Sequence, residues 1–112
     1  MASPRKERIA QNENAFRQLN ESIENSVHRR RSDDDLGGFV CECGDADCED
    51  IVRLPLAAYE EIREDSRLFF TVPGHDMPEA EDVVRKGDGY FVVRKHVDVA
   101  DITDAGDPRE PS

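Results

Sequence analysis

Three cysteines crowded into eight residues are the feature of this sequence best suited to chemistry, and they are Cys41, Cys43 and Cys48. Thiolate and imidazole groups are the ligands that Zn²⁺ prefers, and structural zinc sites are closed tetrahedra of four such ligands. An odd number of closely spaced cysteines makes a poor disulfide framework, whereas metal binding accounts for it directly. We therefore expect the three cysteines to bind a structural metal ion, with zinc as the favoured ion.

The spacing of the cysteines sets a condition on the chain between them. Cys43 and Cys48 are separated by four residues, which matches a usual spacing of zinc ligands. Cys41 and Cys43 are separated by one residue only, which does not match. We therefore expect the chain to bend at Glu42 or Cys43 so that both sulfur atoms reach one ion.

His75 is the leading candidate for the fourth ligand. It follows Pro73 and Gly74, a strong turn signal after a predicted strand, so its ring can point back at a neighbouring hairpin. Three cysteines and one histidine are a standard zinc set. The other candidates for the fourth ligand are His28, His96, Asp45 and Asp47. If no metal binds, Cys41 is simply a buried residue of a strand and His75 is an ordinary turn residue.

Acidic residues surround the cysteines, and no lysine or arginine lies between residues 41 and 50. The acidic neighbours are Glu42, Asp45, Asp47, Glu49 and Asp50. Negative neighbours raise the pKa of a thiol, whereas a reactive cysteine is normally flanked by basic groups that favour the thiolate. A divalent cation would both deprotonate the thiols and be attracted by the carboxylates. The surroundings therefore favour a bound cation over a nucleophilic cysteine.

An amphipathic helix is predicted before the cysteines, over residues 5–28. Its apolar residues recur at spacings of seven, three, four and four, which places them on one stripe. They are Ile9, Phe16, Leu19, Ile23 and Val27. We expect this stripe to pack against the body of the protein or to dock on a protein partner, because an isolated helix is weak in water unless its apolar face is buried.

The remaining elements predict an α+β fold. The predicted elements are a strand over 39–41, a strand over 51–54, a helix over 55–65, a strand over 68–72, a short helix over 78–86 and a strand over 90–97. The first two strands form a hairpin with the cysteines at its tip, like a zinc knuckle. The last strand, with its Tyr-Phe-Val-Val run, has the composition of a central strand. The order is an N-terminal helix followed by a small antiparallel-sheet domain of β-β-α-β-(α)-β order.

Composition predicts one small domain between two ends. Residues 1–31 are expected to form a helical arm, residues 32–38 a linker that contains Gly37 and Gly38, residues 39–97 a metal-pinned α+β domain, and residues 98–112 a disordered acidic tail. Only 37% of the residues are hydrophobic, so a bound metal ion would help to stabilise a domain of this size.

The distribution of charge argues against nucleic acid as a partner. The net charge is −11, with +3 on residues 1–31 (seven basic, four acidic) and −14 on the rest (eight basic, 22 acidic). Nucleic-acid affinity comes mainly from Lys and Arg, so only the basic run at 29–31 could supply it, and an acidic run at 33–35 follows directly.

No apolar run is long enough for a transmembrane helix, and the chain shows no export signal, so we expect no membrane association and a cytoplasmic location.

The sequence resembles a group of short, uncharacterised actinobacterial-type proteins that share an F-V-C-E-C-x-x-x-x-C … P-G-H … Y-x-V-V-x-K pattern. The matching segments are R-I-A-Q-N-E-N-A-F-R-Q-L-N-E at 8–21, F-V-C-E-C-G-D-A-D-C at 39–48, L-P-L-A-A-Y-E-E-I-R at 54–63, P-G-H at 73–75 and Y-F-V-V-R-K at 90–95. The resemblance implies that the three cysteines and the P-G-H histidine belong to one site and that the first helix belongs to the same unit. It implies no activity.

The sequence does not predict an enzyme. None of its three histidines lies in a spacing that suggests a catalytic dyad, and no serine lies in a nucleophile-elbow pattern. We expect a small non-catalytic protein with a structural zinc site that acts as an interaction or regulatory adaptor through the 5–28 helix. The first alternative is a zinc/thiol redox sensor, in which thiol oxidation releases zinc and then the helix. The second is a nucleic-acid-associated factor that uses the basic N-terminal arm.

Overall fold

The structure is a computed structural model that describes residues 3–28 and 36–105, and it confirms the predicted α+β class. Its elements are α1 (Pro4–His28), β1 (Leu36–Val40), β2 (Ile51–Pro55), α2 (Leu56–Arg63), β3 (Leu68–Thr71), β4 (Glu81–Gly87), β5 (Tyr90–Lys95) and α3 (Val97–Ala105). An N-terminal helix is thus followed by antiparallel strands with helices between and after them. None of the helices in these ranges is long and apolar enough to cross a membrane.

The strands form two antiparallel sheets. One is the predicted hairpin of β1 and β2, in which Phe39 lies opposite Val52 and Val40 opposite Ile51. The other has the order β3-β5-β4, so the Tyr-Phe-Val-Val strand is central, as its composition predicted. The hairpin directs its tip, which carries the cysteines, towards the end of β3, where Glu42 N–H donates a hydrogen bond to the carbonyl of Phe70 (2.9 Å).

The hydrophobic core lies between the hairpin, α2 and β3. Phe39 stacks on Tyr59 with ring centroids 4.4 Å apart, and Phe70 meets both rings edge-on at 6.1 and 5.9 Å. Aromatic pairs of this kind contribute roughly 0.5–1.5 kcal/mol each beyond the area that they bury. Cys41 and Cys43 belong to the same buried cluster. Cys41 and Cys43 are therefore anchored in the aromatic core.

Helix α1 buries a polar face, which its apolar stripe did not predict. Ile9 is buried, but Leu19 is 49% exposed, and the helix turns the following polar side chains inward. These are Glu13, Asn14, Arg17, Asn20 and Glu24, none more than 6% exposed. The physical reason is that the body offers α1 carbonyl groups and buried charges: Arg17, for example, donates to the carbonyl of Ser66 (2.7 Å) and to that of Leu68. The predicted apolar stripe is used only in part: Ile9 is buried and Ile23 packs against the core, whereas Leu19 faces away from the body.

A buried ionic cluster is part of this interface. Lys95 Nζ lies 2.6 Å from Glu81 Oε1 and contacts Glu13 from α1, and all three side chains are fully buried. Glu81 also accepts a hydrogen bond from Met77 N–H (2.9 Å). Burial raises the pKa of Glu81 to about 8 and lowers that of Lys95 to about 7. The Lys95 amino group therefore lies between two buried carboxyl groups, one from α1 and one from β4.

Two predicted elements need correction. Residues 81–86 of the predicted 78–86 helix instead belong to β4, because a Gly-Asp-Gly turn at 87–89 lets this segment pair along β5. Val97–Ala105, most of which was expected to be a disordered tail, form α3. The helix is held because it packs on α1, where Asn14 Nδ2 donates to the carbonyl of Ile102 (2.8 Å).

The expected boundaries also shift. Residues 36–38, part of the expected linker, belong to β1, and α1 is packed on β1 and α3 rather than set apart as an arm. The basic run at 29–31, the linker residues 32–35 and the tail residues 106–112 lie outside the described residues.

Candidate metal centre

The cysteines lie in the loop that joins β1 to β2, here called the knuckle (residues 41–48). Cys41 N–H donates to the carbonyl of Asp50 (2.9 Å), which closes the base of the loop. Cys48 N–H donates to the carbonyl of Asp45 (3.0 Å), and the Asp45 carboxylate accepts from Asp47 N–H (2.9 Å). An aspartate that bonds to the backbone two residues on stabilises a tight turn. The turn brings Cys48 back towards the first two cysteines.

Cys41 and Cys43 reach one site without the expected bend between them. Residues two apart on an extended chain point to the same side, so a C-x-C pair needs no bend at its middle residue. The structure assigns a bend at Gly44 and none at Glu42 or Cys43. Glu42 is fully buried and accepts hydrogen bonds from Asn20 Nδ2 (2.9 Å) and Phe70 N–H (3.4 Å). The bend was expected at the wrong place.

His75 reaches the site from the turn that follows β3, as predicted. Its N–H donates to the carbonyl of Val72 (2.9 Å), and Gly74 in this turn has a φ of +90°. A glycine is suited to this position because residues with a side chain rarely adopt such an angle. The same turn aims Val72 N–H at Cys41 Sγ (3.2 Å), so a backbone donor supports one of the sulfur atoms.

The four predicted ligands lie close enough together to hold a metal ion. One ligand atom from each of Cys41, Cys43, Cys48 and His75 lies within 4.8 Å of all the others. His75 Nδ1 is 3.6 Å from Cys41 Sγ and 3.7 Å from Cys48 Sγ. Tetrahedral zinc with Zn–S near 2.3 Å and Zn–N near 2.0–2.1 Å requires a sulfur–nitrogen separation of about 3.6 Å. The two measured separations fit this requirement.

The second ring nitrogen of the histidine faces an exposed carboxylate outside the cluster. His75 Nδ1 faces the sulfur atoms, and Nε2 lies 3.6 Å from Asp50 Oδ2. Metal-binding histidines commonly direct their second ring nitrogen at a carboxylate, which fixes the ring and raises its basicity as a ligand. Asp50 was counted only as an acidic neighbour in the sequence, because nothing local to residue 50 indicates which ring it faces.

The thiols are coupled to one another. A hydrogen bond from Cys41 lowers the pKa of the Cys43 thiol to about 5, and the same contact, together with burial, raises the pKa of Cys41. Burial also raises the pKa of Cys48. Three thiolates side by side would repel one another, so the cluster can carry full charge only with a cation at its centre.

The other candidate ligands are placed elsewhere. His96 Nε2 lies 3.2 Å from Asp82 Oδ1, outside the cluster. Asp45 uses its carboxylate in the knuckle turn, and Asp47 is exposed. The side chain of His28 lies outside the described residues.

Sequence reasoning missed the residues of α1 that support the knuckle. Asn20 accepts a hydrogen bond from Val40 N–H (2.8 Å) and donates to the Val40 carbonyl (2.9 Å), and Asn12 Nδ2 donates to the carbonyl of Gly44 (2.8 Å). Asparagine is unfavourable inside helices because it competes for backbone hydrogen bonds. Three asparagines within nine residues of a predicted helix (12, 14 and 20) were therefore a usable signal.

Comparison of the chain with models of known protein families, with curated proteins and with solved structures finds no match. The resemblance to the actinobacterial-type group therefore stays a prediction.

Proposed function

We propose that this is a small, non-catalytic zinc protein in which Cys41, Cys43, Cys48 and His75 hold a structural Zn²⁺. The observation that carries the proposal is the pair of sulfur–nitrogen separations at His75, 3.6 and 3.7 Å, which match tetrahedral zinc. Two of the four ligands are buried and two are half-buried. Four protein ligands close the tetrahedron, and structural zinc sites are closed in this way, whereas catalytic sites keep a position for water.

The ligand chemistry supports zinc over the other common ions. Three thiolates and an imidazole are soft or borderline donors, which Ca²⁺ and Mg²⁺ bind poorly because they prefer oxygen. Zinc has no geometric preference from its d-electrons and accepts the tetrahedron that the chain offers. The ion would hold the knuckle and the β3 turn together and so compensate for an apolar-poor body.

The adaptor role rests on the outward face of α1. Because the inward face is occupied by the body, a partner would have to bind the opposite side of the helix, where Leu19 is 49% exposed among polar neighbours. A protein partner with an apolar pocket fits such an anchor. Crosslinking of partners should weaken in Leu19→Asp and persist in Gln18→Asp, its exposed neighbour; equal recovery with both variants would remove α1 from the adaptor role.

The metal assignment is tested by elemental analysis and by Co²⁺ substitution. The purified protein should hold one zinc per chain, and Co²⁺ should give the strong visible absorption of a tetrahedral thiolate site. Cys43→Ser and His75→Ala should lower the metal content or change the cobalt spectrum, whereas His96→Ala should not, because His96 lies outside the cluster. Zinc retained with an unchanged cobalt spectrum in His75→Ala would discard the histidine as a ligand.

The redox alternative is favoured by one observation, the exposure of Cys48. Cys48 is half-buried while Cys41 and Cys43 are buried, and its sulfur lies beside theirs. In this scheme hydrogen peroxide accepts two electrons from two thiolates and, with two protons, becomes two waters; a disulfide forms and zinc leaves. Zinc release measured with a chelating dye should then rise with peroxide. If zinc stays bound at a peroxide concentration that oxidises the thiols of a control protein, this alternative is rejected.

A further inference from the structure

The knuckle and helix α1 share one short segment of chain. Along residues 40–44 the metal ligands Cys41 and Cys43 alternate with Val40, Glu42 and Gly44, and these three contact α1. The chain here is therefore clamped from two sides, by the metal cluster and by the helix.

The contacts on the helix side are specific. Asn20 makes two hydrogen bonds to the backbone of Val40 and one to the carboxylate of Glu42, between 2.8 and 2.9 Å. Asn12 binds the carbonyl of Gly44 (2.8 Å). Ile9 packs so closely on Gly44 that a Cβ added to this glycine would lie 2.6 Å from Ile9 Cγ2. Small displacements of the segment would break these contacts, because hydrogen bonds and close packing are both short-ranged.

The interface beneath α1 is suited to reversible docking. Its buried side chains include five polar or charged residues, as described above, and water can satisfy such groups when the helix leaves. Polar interfaces of this kind resemble those of transient contacts rather than those of permanent cores. Undocking of α1 would expose these polar groups together with a smaller apolar part, which includes Ile9, Ala10 and the Phe69 ring beneath Arg17.

We infer that metal occupancy of the knuckle controls the docking of α1 on the body. Without an ion the thiols and the imidazole lose their common centre, so residues 41–44 relax and the bonds to Asn12 and Asn20 weaken. This inference rests on the proposed zinc site and names its regulation. Because linkage is reciprocal, loss of the α1 contacts must weaken metal binding by the same factor as metal loss weakens docking.

Hydrogen–deuterium exchange of the full chain tests the first half of the linkage. The zinc-loaded protein is compared with the chelator-treated protein, both kept reduced. Amides of α1 should exchange about 5- to 150-fold faster without zinc, the usual range of coupling between two sites, while those of β4 and β5 stay protected. Zinc bound one to one with unchanged α1 exchange overturns the inference alone. Equal loss of protection in β4 and β5 also overturns it, because zinc would then hold the whole fold. A chain that binds no zinc overturns the proposed function together with the inference.

A glycine pair tests the reciprocal half without touching a ligand. Gly44→Ala should displace α1 from the knuckle and so lower the affinity for zinc. The loss of affinity, measured by competition with a chelating dye, should equal the factor by which zinc removal speeds the exchange of α1 amides. Gly38→Ala is the matched control, because its new Cβ would meet only ordinary contacts, the nearest at 3.5 Å. Adding Ile9→Ala to Gly44→Ala should restore the affinity, since the clash is with that side chain. Failure of this rescue, together with unchanged zinc affinity in Asn12→Ala, overturns the inference, because the alanine at position 44 would then act on the metal site directly. Asn12→Ala, which adds no clash, should weaken zinc binding in the same direction if Gly44→Ala does not fold.

Discussion

Replacement of Lys95 by methionine should destabilise the protein, and by more at neutral pH than at acidic pH. The lysine ammonium lies between Glu13 of α1 and Glu81 of β4, and all three side chains are fully buried. Methionine keeps the length of the side chain and removes its charge. Removal of one partner from a buried ion pair costs about 3–5 kcal/mol, because the other charge is left without compensation.

The pH dependence follows from proton linkage. In Lys95→Met the Glu13 carboxylate escapes its uncompensated burial by taking up a proton on folding. Protonating a glutamate of ordinary pKa, about 4.3, costs about 1.4 kcal/mol per pH unit above that value, hence about 4 kcal/mol near pH 7 and about 2 near pH 5.5. The folded variant binds more protons than its unfolded chain, so its stability falls as pH rises. Glu81, whose pKa burial raises to about 8, holds its proton throughout this window.

The loss of stability in Lys95→Met at any single pH is smaller than these figures, because burial of the lysine itself destabilises the wild-type protein. Burial lowers the pKa of Lys95 to about 7, so the variant is relieved of a desolvation cost that the lysine brings. That relief is constant below about pH 7, because the lysine is protonated in both states there. The slope of the stability difference, about 2 kcal/mol between about pH 5.5 and 7, is therefore the diagnostic quantity.

Urea unfolding at the two pH values, with saturating zinc, measures this slope. Lys86→Met is the matched control: Lys86 is exposed, 5.2 Å above the Phe91 ring, and its loss should change the free energy of unfolding by less than about 0.5 kcal/mol. Glu13→Gln combined with Lys95→Met should abolish the slope, because no carboxylate is left to protonate. A stability difference for Lys95→Met that does not change with pH would refute the assignment of a charged pair at this site.

Three further predictions concern the metal centre and its support. Asp50→Asn should weaken zinc binding about tenfold, because it removes the carboxylate charge that lies 3.6 Å from His75 Nε2. Asp47→Asn is the control, and a chelator titration that gives both variants the same zinc affinity would contradict this prediction. Gly74→Ala should cost about 1–2 kcal/mol of stability, since its φ is +90°, and a wild-type melting curve would show that the turn is not strained. Phe39→Ala should cost about 3–5 kcal/mol in denaturant unfolding, because the ring is fully buried on Tyr59; a cost below about 1 kcal/mol would mean that the core closes over the gap.

The fold was predictable where local signals agree. The helix at 4–28, the β1–β2 hairpin and the central β5 follow from side-chain periodicity and from turn residues. The region at 78–86 was predicted wrongly because a short run with Ala80, Val83 and Val84 suits a helix and a strand equally, and only pairing with β5 decides between them. The helix at 97–105 was missed because its acidic composition is that of a disordered segment, whereas its stability comes from packing on α1.

The sequence by itself determined the chemistry of the candidate centre: three thiols and a histidine after a Pro-Gly turn, in surroundings that attract a cation. It determined these because ligand type and turn preference are properties of single residues and their neighbours. Only the tertiary structure decided that Asp50 faces the histidine and that α1 presents Glu13, Arg17 and Asn20 to the body. In a helix pattern such side chains indicate a solvated face. Their burial depends on partners such as Lys95, 82 positions from Glu13, and no local pattern encodes a pairing over that distance.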